Sequence, residues 1–185
     1  PIYPRRHLTK WKNNEYVYSY LLREMKIERC NQVWEIDITY VPMARGFMYL
    51  TAIIDVYSRY IVGWGLSNTL DAASCLEVLR NAINQHGKPE IINSDQGSQF
   101  TCRQYVEYLK TKGIKISMDG KGRALDNIYI ERFWRTIKYQ HIHLFPAVDG
   151  LSLYMGIKKW LERYHYRSHQ GIDRNKPSTL YLNAA

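Results

Sequence analysis

The stretch IINSDQGSQFTC, residues 91–102, places an acidic side chain at the end of a short apolar strand. Ile91 and Ile92 are residues typical of strands, and Asp95 follows after two polar residues. Gly97 then marks a turn, and a predicted helix begins soon afterwards. A carboxylate in this position needs an explanation, because the rest of the chain is strongly basic.

Length and charge limit the possible functions. The 185 residues are enough for one ordinary domain, and the apolar fraction of 45% is normal for a globular protein. Lys and Arg number 26 against 17 Asp and Glu, which gives a net charge of +9. Such an excess is typical of proteins with a polyanionic partner, most often nucleic acid. The alternative is a basic protein whose charge serves only solubility.

Cysteine use and hydropathy indicate the compartment. Cys30, Cys75 and Cys102 are far apart and odd in number, which argues against a disulfide framework or a zinc knuckle. No apolar run reaches the roughly 18–20 residues of a membrane span, and residues 1–10 do not resemble a signal peptide. We therefore expect a reduced, cytoplasmic setting without membrane contact. The chain lacks an initiator Met, so we expect a piece of a longer protein.

Hydrophobic patterns predict a mixed α/β sheet. Residues 1–30 are polar, basic and rich in Tyr, which predicts an arm or linker with one short helix at 16–25. Residues 31–185 form the predicted core. Its first part, residues 33–41, 47–54 and 59–66, predicts an antiparallel meander of three strands. Helices then alternate with two further strands, at residues 89–95 and 114–118, which predicts parallel strands with helices on the sheet faces.

The second half of this pattern has clear helix signals. Thr69 or Asp71 is a candidate N-cap for a helix that stops at Gly87. Further helices are predicted at residues 101–112, 126–140 and 150–167.

Three carboxylates lie where strands and helices can bring side chains together. Asp37 is in the first predicted strand, Asp95 ends the fourth, and Glu131 is in the first turns of a helix. Hard divalent cations prefer oxygen ligands, and Mg²⁺ takes one or two carboxylates together with water and phosphate oxygens. In a basic protein, such acids would hold metal ions that neutralise a phosphodiester.

The spacing of these acids is a weak signal by itself. Thirty-five residues, 96–130, separate Asp95 from Glu131, but the pairs Asp71–Glu107 and Asp126–Glu162 have the same spacing. Only Asp95 directly follows a predicted strand. One further strand lies between it and the helix that carries its partner, Glu131. The context therefore selects this pair.

Three longer blocks carry a family resemblance. The stretches NQVWEIDITYVPM (31–43), KPEIINSDQGSQFT (88–101) and ISMDGKGRALDNIYIERFWRTIKYQHI (116–142) resemble the catalytic core of insertion-sequence transposases, DDE enzymes related to retroviral integrases. Similarity extends from about residue 20 to the end, where YHYRSHQGIDRNKPSTLYL (164–182) resembles the family's closing segment. Two departures are noted: Cys30 stands where the family often has Pro, and His165 where it often has Asn.

The resemblance implies a fold, a reaction and partners. The fold would be a ribonuclease-H-like mixed sheet, three antiparallel strands followed by two parallel ones, with flanking helices. Asp37, Asp95 and Glu131 would be the DDE triad that binds two Mg²⁺ or Mn²⁺ ions. The enzyme would cleave transposon DNA ends and join the 3′-OH to target DNA as a homo-oligomer. It would be bacterial and nucleoid-associated, and residues 1–30 would be the remnant of an upstream DNA-binding region.

Each triad residue also has a simpler interpretation. Asp37 shares a strand face with Glu35 and Thr39, which fits a solvated sheet face. Asp95 can open an Asx-type turn, and Glu131 can favour a helix dipole. Asp126 is predicted to cap the same helix, and Asp119 is a rival ligand that we rank below Glu131. A non-catalytic DNA-binding remnant and a metal-dependent nuclease of the same fold remain alternative functions.

Basic residues near the triad are candidates for DNA contact. Arg135 and Lys138 follow Glu131 on one helix face, at positions where integrases place basic residues against DNA. Lys121 and Arg123 lie in the glycine-bearing loop DGKGRA, and Arg167 and His169 belong to the family's closing segment. The alternatives are a wet helix with a Glu–Arg pair and a solvated loop. The histidine pairs 141/143 and 165/169 lack the second half of a zinc set.

Overall fold

The computed structural model describes residues 16–120 and 126–183. These residues form a five-stranded sheet with helices on both faces. The strands are β1 (Val33–Pro42), β2 (Phe47–Asp55), β3 (Ile61–Ser67), β4 (Ile91–Ser94) and β5 (Lys115–Met118). The helices are α1 (Ala72–His86), α2 (Arg103–Thr111), α3 (Ile128–Ile137), α4 (Gly150–Tyr166) and α5 (Pro177–Leu182), with a π-helical turn at Lys138–Ile142 and a 3₁₀ turn at Gln170–Ile172.

The sheet has the predicted mixed topology. Its strand order is β3-β2-β1-β4-β5. β2 pairs antiparallel with β1 and β3, whereas β4 is parallel to β1 and β5 is parallel to β4. The meander arises because short connections join the first three strands, and the parallel strands require the crossover helices α1 and α2. The prediction of three antiparallel and two parallel strands is confirmed.

Alternation along the strands divides the interior into two main cores. Ile36 and Ile53 face the core that contains side chains of α1 and α2. Val41 and Ala52 face the opposite core, which contains side chains of α3 and α4. Successive strand residues point to opposite faces, so one sheet supplies both cores. The central strand β1 is therefore covered on both sides near the candidate site.

Helix α1 has the predicted start and stop. Asp71 is its N-cap, and the carboxylate accepts a hydrogen bond of 2.7 Å from Ser74 N. Gly87 ends the helix with a φ of 78°, a conformation that favours glycine. The helix packs closely on β3, since a Cβ added at Gly65 would lie 2.7 Å from Val78 Cγ2. Glycine at this position therefore permits the close approach of helix and strand.

The short helix predicted at residues 16–25 is wrong. This segment has no helical residues and lies against β5, the edge strand, where Leu21 N donates to Ser117 Oγ at 3.0 Å. Leu22 is buried in a third apolar cluster with Val33, Val56 and Ile91. Contact with the core therefore overrode local helix propensity. No observation tests the predicted boundary at residue 30, and residues 1–15 lie outside the described part.

Two further differences concern the C-terminal half. Asn127, not Asp126, occupies the N-cap position of α3, and Asp126 Oδ2 instead accepts a hydrogen bond from Gly120 N at 3.0 Å. The prediction that Asp126 caps this helix is therefore wrong, because its side chain binds the backbone N–H of Gly120 instead. The short helix α5 was not predicted, although Pro177 at its first turn is a typical helix-start signal.

Candidate active site

The candidate site is built on the face of β1 that packs against α3. Glu35, Asp37 and Thr39 alternate along this face, and each one binds a group on α3 or the turn that follows it. Glu35 Oε2 accepts from Ile130 N at 2.9 Å, Asp37 Oδ2 from Trp134 Nε1 at 2.8 Å, and Thr39 Oγ1 from Lys138 Nζ at 2.6 Å. We call these three hydrogen bonds the β1–α3 ladder.

The ladder follows from the geometry of the two elements. Two strand residues advance by roughly 6.6–6.8 Å, and four helical residues advance by about 6.0 Å. Steps of two along β1 and of four along α3 therefore stay matched over three contacts. Glu35 is 1% exposed and Thr39 is 9% exposed, so this strand face is covered. The alternative of a solvated sheet face is wrong.

Asp37 lies in an environment that disfavours its charge. The pKa of Asp37 is raised to about 6, chiefly by burial and to a smaller extent by the negative charges of Asp95 and Glu131, against the lowering effect of the Trp134 hydrogen bond. Both other acids of the predicted triad thus act electrostatically on Asp37. A bound cation would relieve this repulsion.

Asp95 continues the register of the parallel strands. Glu35 on β1 pairs with Asn93 on β4, and Asp37 and Asp95 each follow two residues later. The Asp95 side chain is exposed, and its Oδ1 accepts a hydrogen bond from Gly97 N at 2.9 Å. The Asx-type turn predicted as an alternative is therefore present. It uses one carboxylate oxygen, and the second accepts no hydrogen bond from the described residues.

Glu131 approaches this region from α3, which packs on the face of β1 that carries Asp37. It lies in the first turn of α3, and its neighbour Ile130 is the residue whose N–H binds Glu35. The Glu131 side chain is exposed. Its position also favours the helix dipole, so this simpler interpretation and a ligand role are compatible.

A fourth carboxylate lies beside the triad. Asp119 follows β5 directly, and burial raises its pKa to about 7, with contributions from the charges of Asp126, Asp95 and Asp37. Asn93 Nδ2 donates to Asp119 Oδ1 at 2.7 Å, which opposes this rise. The rival ligand considered from sequence is therefore electrostatically coupled to the site.

The carboxylate oxygens of the four acids suit a hard cation, but the four side chains do not converge on one point. Among residues 16–120 and 126–183, no group of three His, Cys, Asp or Glu side chains is close enough to hold a metal ion together. All four acids nevertheless offer oxygen ligands, which Mg²⁺ and Mn²⁺ accept. The charges of Asp95 and Glu131 add to the burial that raises the pKa of Asp37, and this repulsion is a second sign that the residues fit a cation.

The predicted DNA-contacting residues occupy two surfaces. Lys138 is held against Thr39 on the β1–α3 ladder, while Arg135 is exposed on α3. Arg167 Nη1 donates to Gln140 Oε1 at 3.2 Å, and His169 Nε2 lies 3.0 Å from Tyr164 O. Lys121 and Arg123 lie outside the described residues. None of these six assignments is tested by the structure.

Sequence reasoning missed two polar contacts of the site. Trp134 was assigned to the apolar stripe of α3, and it is indeed 7% exposed, but its indole N–H binds Asp37. Glu35 was seen only as a neighbour of Asp37 on the strand. The available signal was the matched spacing of 35, 37 and 39 with 130, 134 and 138, which becomes visible only when β1 is known to lie against α3.

The fold and the neighbouring carboxylates of the candidate site define a class of protein. A five-stranded mixed sheet with helices on both faces and carboxylates at adjoining strand ends is typical of the ribonuclease-H-like, integrase-type cores. Two family models, each described as "Integrase core domain", match residues 28–124 and 112–177. The chain belongs to the integrase core domain family.

Individual relatives agree with this assignment. The chain is 35% identical over 151 residues to the transposase for insertion sequence element IS904 of Lactococcus lactis, covering 80% of this chain and 60% of that protein. It is 34% identical over 115 residues to transposase InsF for insertion sequence IS3A of Escherichia coli, covering 61% and 40% respectively. The matches support an insertion-sequence transposase catalytic core, and the chain spans at most 60% of the length of these two relatives.

A solved structure confirms the fold. The HTLV-2 integrase catalytic core domain, in a trimeric form and in complex with magnesium, matches with a TM-score of 0.67 and 20% identity. The match covers 83% of this chain and 97% of that one. The chain therefore has the same fold as that integrase core. Within the part of the chain that the structure describes, no helix is both long and apolar enough to cross a membrane.

Proposed function

We propose that this chain is the catalytic core of a DDE transposase, which cleaves transposon DNA ends and transfers the new 3′-OH to target DNA. In the first step, water attacks a phosphodiester, and the bond to the 3′ oxygen breaks. In the second step, the freed 3′-OH attacks a target phosphodiester and displaces another 3′ oxygen. The supporting observation is the parallel register that sets Asp37 and Asp95 two residues beyond the paired Glu35 and Asn93, together with the effect of the Asp95 and Glu131 charges on the partly buried Asp37 carboxylate.

Asp37, Asp95 and Glu131 would hold the divalent metal, Mg²⁺ or Mn²⁺, with two ions as the expected number. When bound, the ions would activate the attacking oxygen and stabilise the leaving one. The chain itself contributes alignment. The β1–α3 ladder fixes Glu131 relative to Asp37, and Arg135 and Lys138 provide positive charge along the same helix face for DNA phosphates.

The triad is tested by one substitution. We expect Asp95→Asn to abolish Mg²⁺-dependent cleavage and joining of labelled duplex ends, because the amide removes the anionic ligand. Asp173→Asn is the matched control, since this exposed residue follows the 3₁₀ turn, is not part of the β1–α3 ladder and has a φ of 50°, which Asn also tolerates. Equal activity of wild type and Asp95→Asn would contradict the proposal.

The same assay separates the two alternative functions. Cleavage without joining would favour a nuclease of this fold. Activity in neither protein, together with intact DNA binding, would favour a non-catalytic remnant. Calorimetric titration with Mn²⁺ supplies a readout that does not depend on turnover, and Asp95→Asn is expected to weaken Mn²⁺ binding.

We also propose that the protein acts as a homo-oligomer on paired DNA ends in the bacterial cytoplasm. The trimeric form of the HTLV-2 integrase core supports self-association in a protein of this fold. Sedimentation of the chain with and without duplex ends tests this expectation, and a monomer under both conditions would contradict it.

A further inference from the structure

A basic groove lies beside α3. It borders the helix face adjacent to the face that carries Glu131. It consists of two adjoining concavities with volumes of about 740 and 170 Å³. The two concavities share four of their lining residues, Thr136, Tyr164, His169 and Gln170. They therefore form one continuous depression. One wall comes from α3 and the following turn, and the other from the end of α4 and residues 167–171.

The charge of this groove is of one sign. Its lining residues include four arginines and one histidine and contain no carboxylate: Arg59, Arg132, Arg163, Arg167 and His169. The ion pairs among the described residues, Arg29–Glu90 and Lys110–Glu107, involve none of them. The Arg59 guanidinium interacts with the charges of Glu35 and Asp55, whereas Arg132, Arg163 and Arg167 have no ion-pair partner among the described residues. Like charges gathered in this way are unfavourable unless an anion binds there. The arrangement therefore points to a polyanionic ligand.

Aromatic surface accompanies the charge. Tyr139 lines the groove and is 70% exposed, and the Tyr129 ring lies 3.8 Å below the guanidinium of Arg59. Trp160 and Tyr164 form the floor and are largely buried. Exposed rings beside arginines are the combination by which proteins bind unpaired nucleotides, with stacking for the bases and cations for the phosphates.

The position of the groove relates it to the triad. Arg132 follows Glu131 directly in α3, so the groove begins at the next residue around the helix from the acid. A depression of 740 Å³ has the volume of a small-ligand site, which admits a few nucleotides of one strand but not the body of a duplex. Strand cleavage at the triad would free one end of the cut strand, and the nucleotides next to that end could then unpair.

We propose that this groove binds a single, unpaired strand of DNA next to the triad. The identity of the polymer as DNA rests on the proposed function, whereas the binding itself rests on the groove. Phosphates would contact Arg132, Arg163 and Arg167, and a base would stack on Tyr139. The segment bound would be the unpaired flank of the strand that is cut.

The test measures binding without cleavage. A fluorescent single-stranded oligonucleotide of about 12 nucleotides, within the usual range of site sizes, is titrated with the chain in EDTA and followed by anisotropy. We expect Arg163→Glu to weaken binding at least about 10-fold, because it reverses a charge that contacts phosphate. Lys159→Glu is the matched control, since it makes the same charge change on an exposed part of α4 that does not line the groove.

A second variant tests base stacking. Tyr139→Ala is expected to lose about 5-fold or more in affinity for the single strand, in line with stacking contributions measured by alanine substitution. Unlabelled single strand should compete better than duplex of the same length. Equal losses in Arg163→Glu and Lys159→Glu, or equal competition by duplex, would overturn the proposal and indicate a general effect of net charge.

The outcome is independent of the catalytic proposal. Asp95→Asn should bind the single strand as the wild type does, because Asp95 does not line the groove. Loss of cleavage in Asp95→Asn with unchanged effects of Arg163→Glu supports both proposals. Wild-type cleavage with no single-strand preference would remove the groove proposal alone.

Discussion

At the scale of single residues, Asp37 shows how one side chain acquires a function from its surroundings. Its position in an alternating strand fits a solvated face equally well, and the difference is made by α3, which covers that face. Trp134 then donates its indole N–H to Asp37 Oδ2 at 2.8 Å. This contact orients the carboxylate and supports its charged form. Trp134 is therefore a positioning residue for the proposed triad.

Substitution of Trp134 tests this role. Trp134→Phe keeps an aromatic ring in the core but removes the N–H donor, and we expect metal affinity and cleavage rate to fall about 10–100-fold, the usual effect of losing a hydrogen bond to a ligand. Calorimetric titration with Mn²⁺ and the cleavage assay provide the two readouts.

The control for this prediction is Trp64→Phe. Trp64 packs against the same core and does not line the basic groove, and its indole N–H makes no hydrogen bond among the described residues. If both variants lose the same activity and the same thermal stability, Trp134 contributes packing only.

At the scale of elements, an aromatic stack joins α4, the start of β3 and α5. The Tyr60 ring lies 3.9 Å from His165 and 4.7 Å from Tyr181, measured between ring centroids. His165 Nε2 also accepts a hydrogen bond of 3.1 Å from Ile61 N. This contact requires the neutral imidazole, so the packing of the three elements depends on its protonation state.

This contact predicts a pH dependence of stability. Burial lowers the pKa of His165 from 6.5 to about 4, with smaller contributions from His169 and His86. The unfolded chain therefore binds more protons between pH 6.5 and 4, so the contribution of His165 is present above pH 6.5 and is lost as the pH falls towards 4. The full loss is at most about 3 kcal/mol.

Urea unfolding of wild type and His165→Asn at pH 7.5 and 4.5 measures this contribution. Asn is the residue that the family often has here, and it retains an acceptor that does not titrate. The carboxyls with raised pKa values, Glu35 and Asp119 among them, act in the opposite direction and are common to both proteins. A difference between the two proteins that does not change with pH would contradict the prediction.

At the scale of the whole molecule, one sheet separates two large cores, and a third, smaller cluster closes one end. The N-terminal segment contributes Leu22, which is 9% exposed and packs with Val33, Val56 and Ile91. Residues near position 20 are thus part of the folded unit. We attribute their non-helical conformation to this packing.

Truncation of two adjacent leucines tests the contribution of that segment. We expect Leu22→Ala to lower the free energy of unfolding by about 2 kcal/mol, the low end for a buried leucine, because the site is at the edge of the core. Leu21→Ala is the control, since Leu21 is 41% exposed. Urea unfolding curves supply the measurement, and equal effects of both substitutions would show that Leu22 is not buried in solution.

Sequence patterns predicted the elements that form locally. The meander, the capped helix α1 and the apolar stripe of α3 were predicted correctly, because alternation, caps and helical spacing are encoded by neighbouring residues. The segment 16–25 and the role of Asp126 were predicted wrongly. In both cases a tertiary contact, with Ser117 for Leu21 and with Gly120 for Asp126, replaced the local preference.

The sequence by itself determined the mixed α/β fold class and the family. It also determined the choice of Asp37, Asp95 and Glu131 as the proposed ligands. Only the tertiary structure decided which groups surround them: the Trp134 hydrogen bond, Asp119 as a coupled neighbour, and the groove beside Arg132. The physical reason is distance along the chain. The partners in these hydrogen bonds are separated by 95 and 97 positions along the chain. They meet only when α3 packs on β1, and no local pattern specifies that contact.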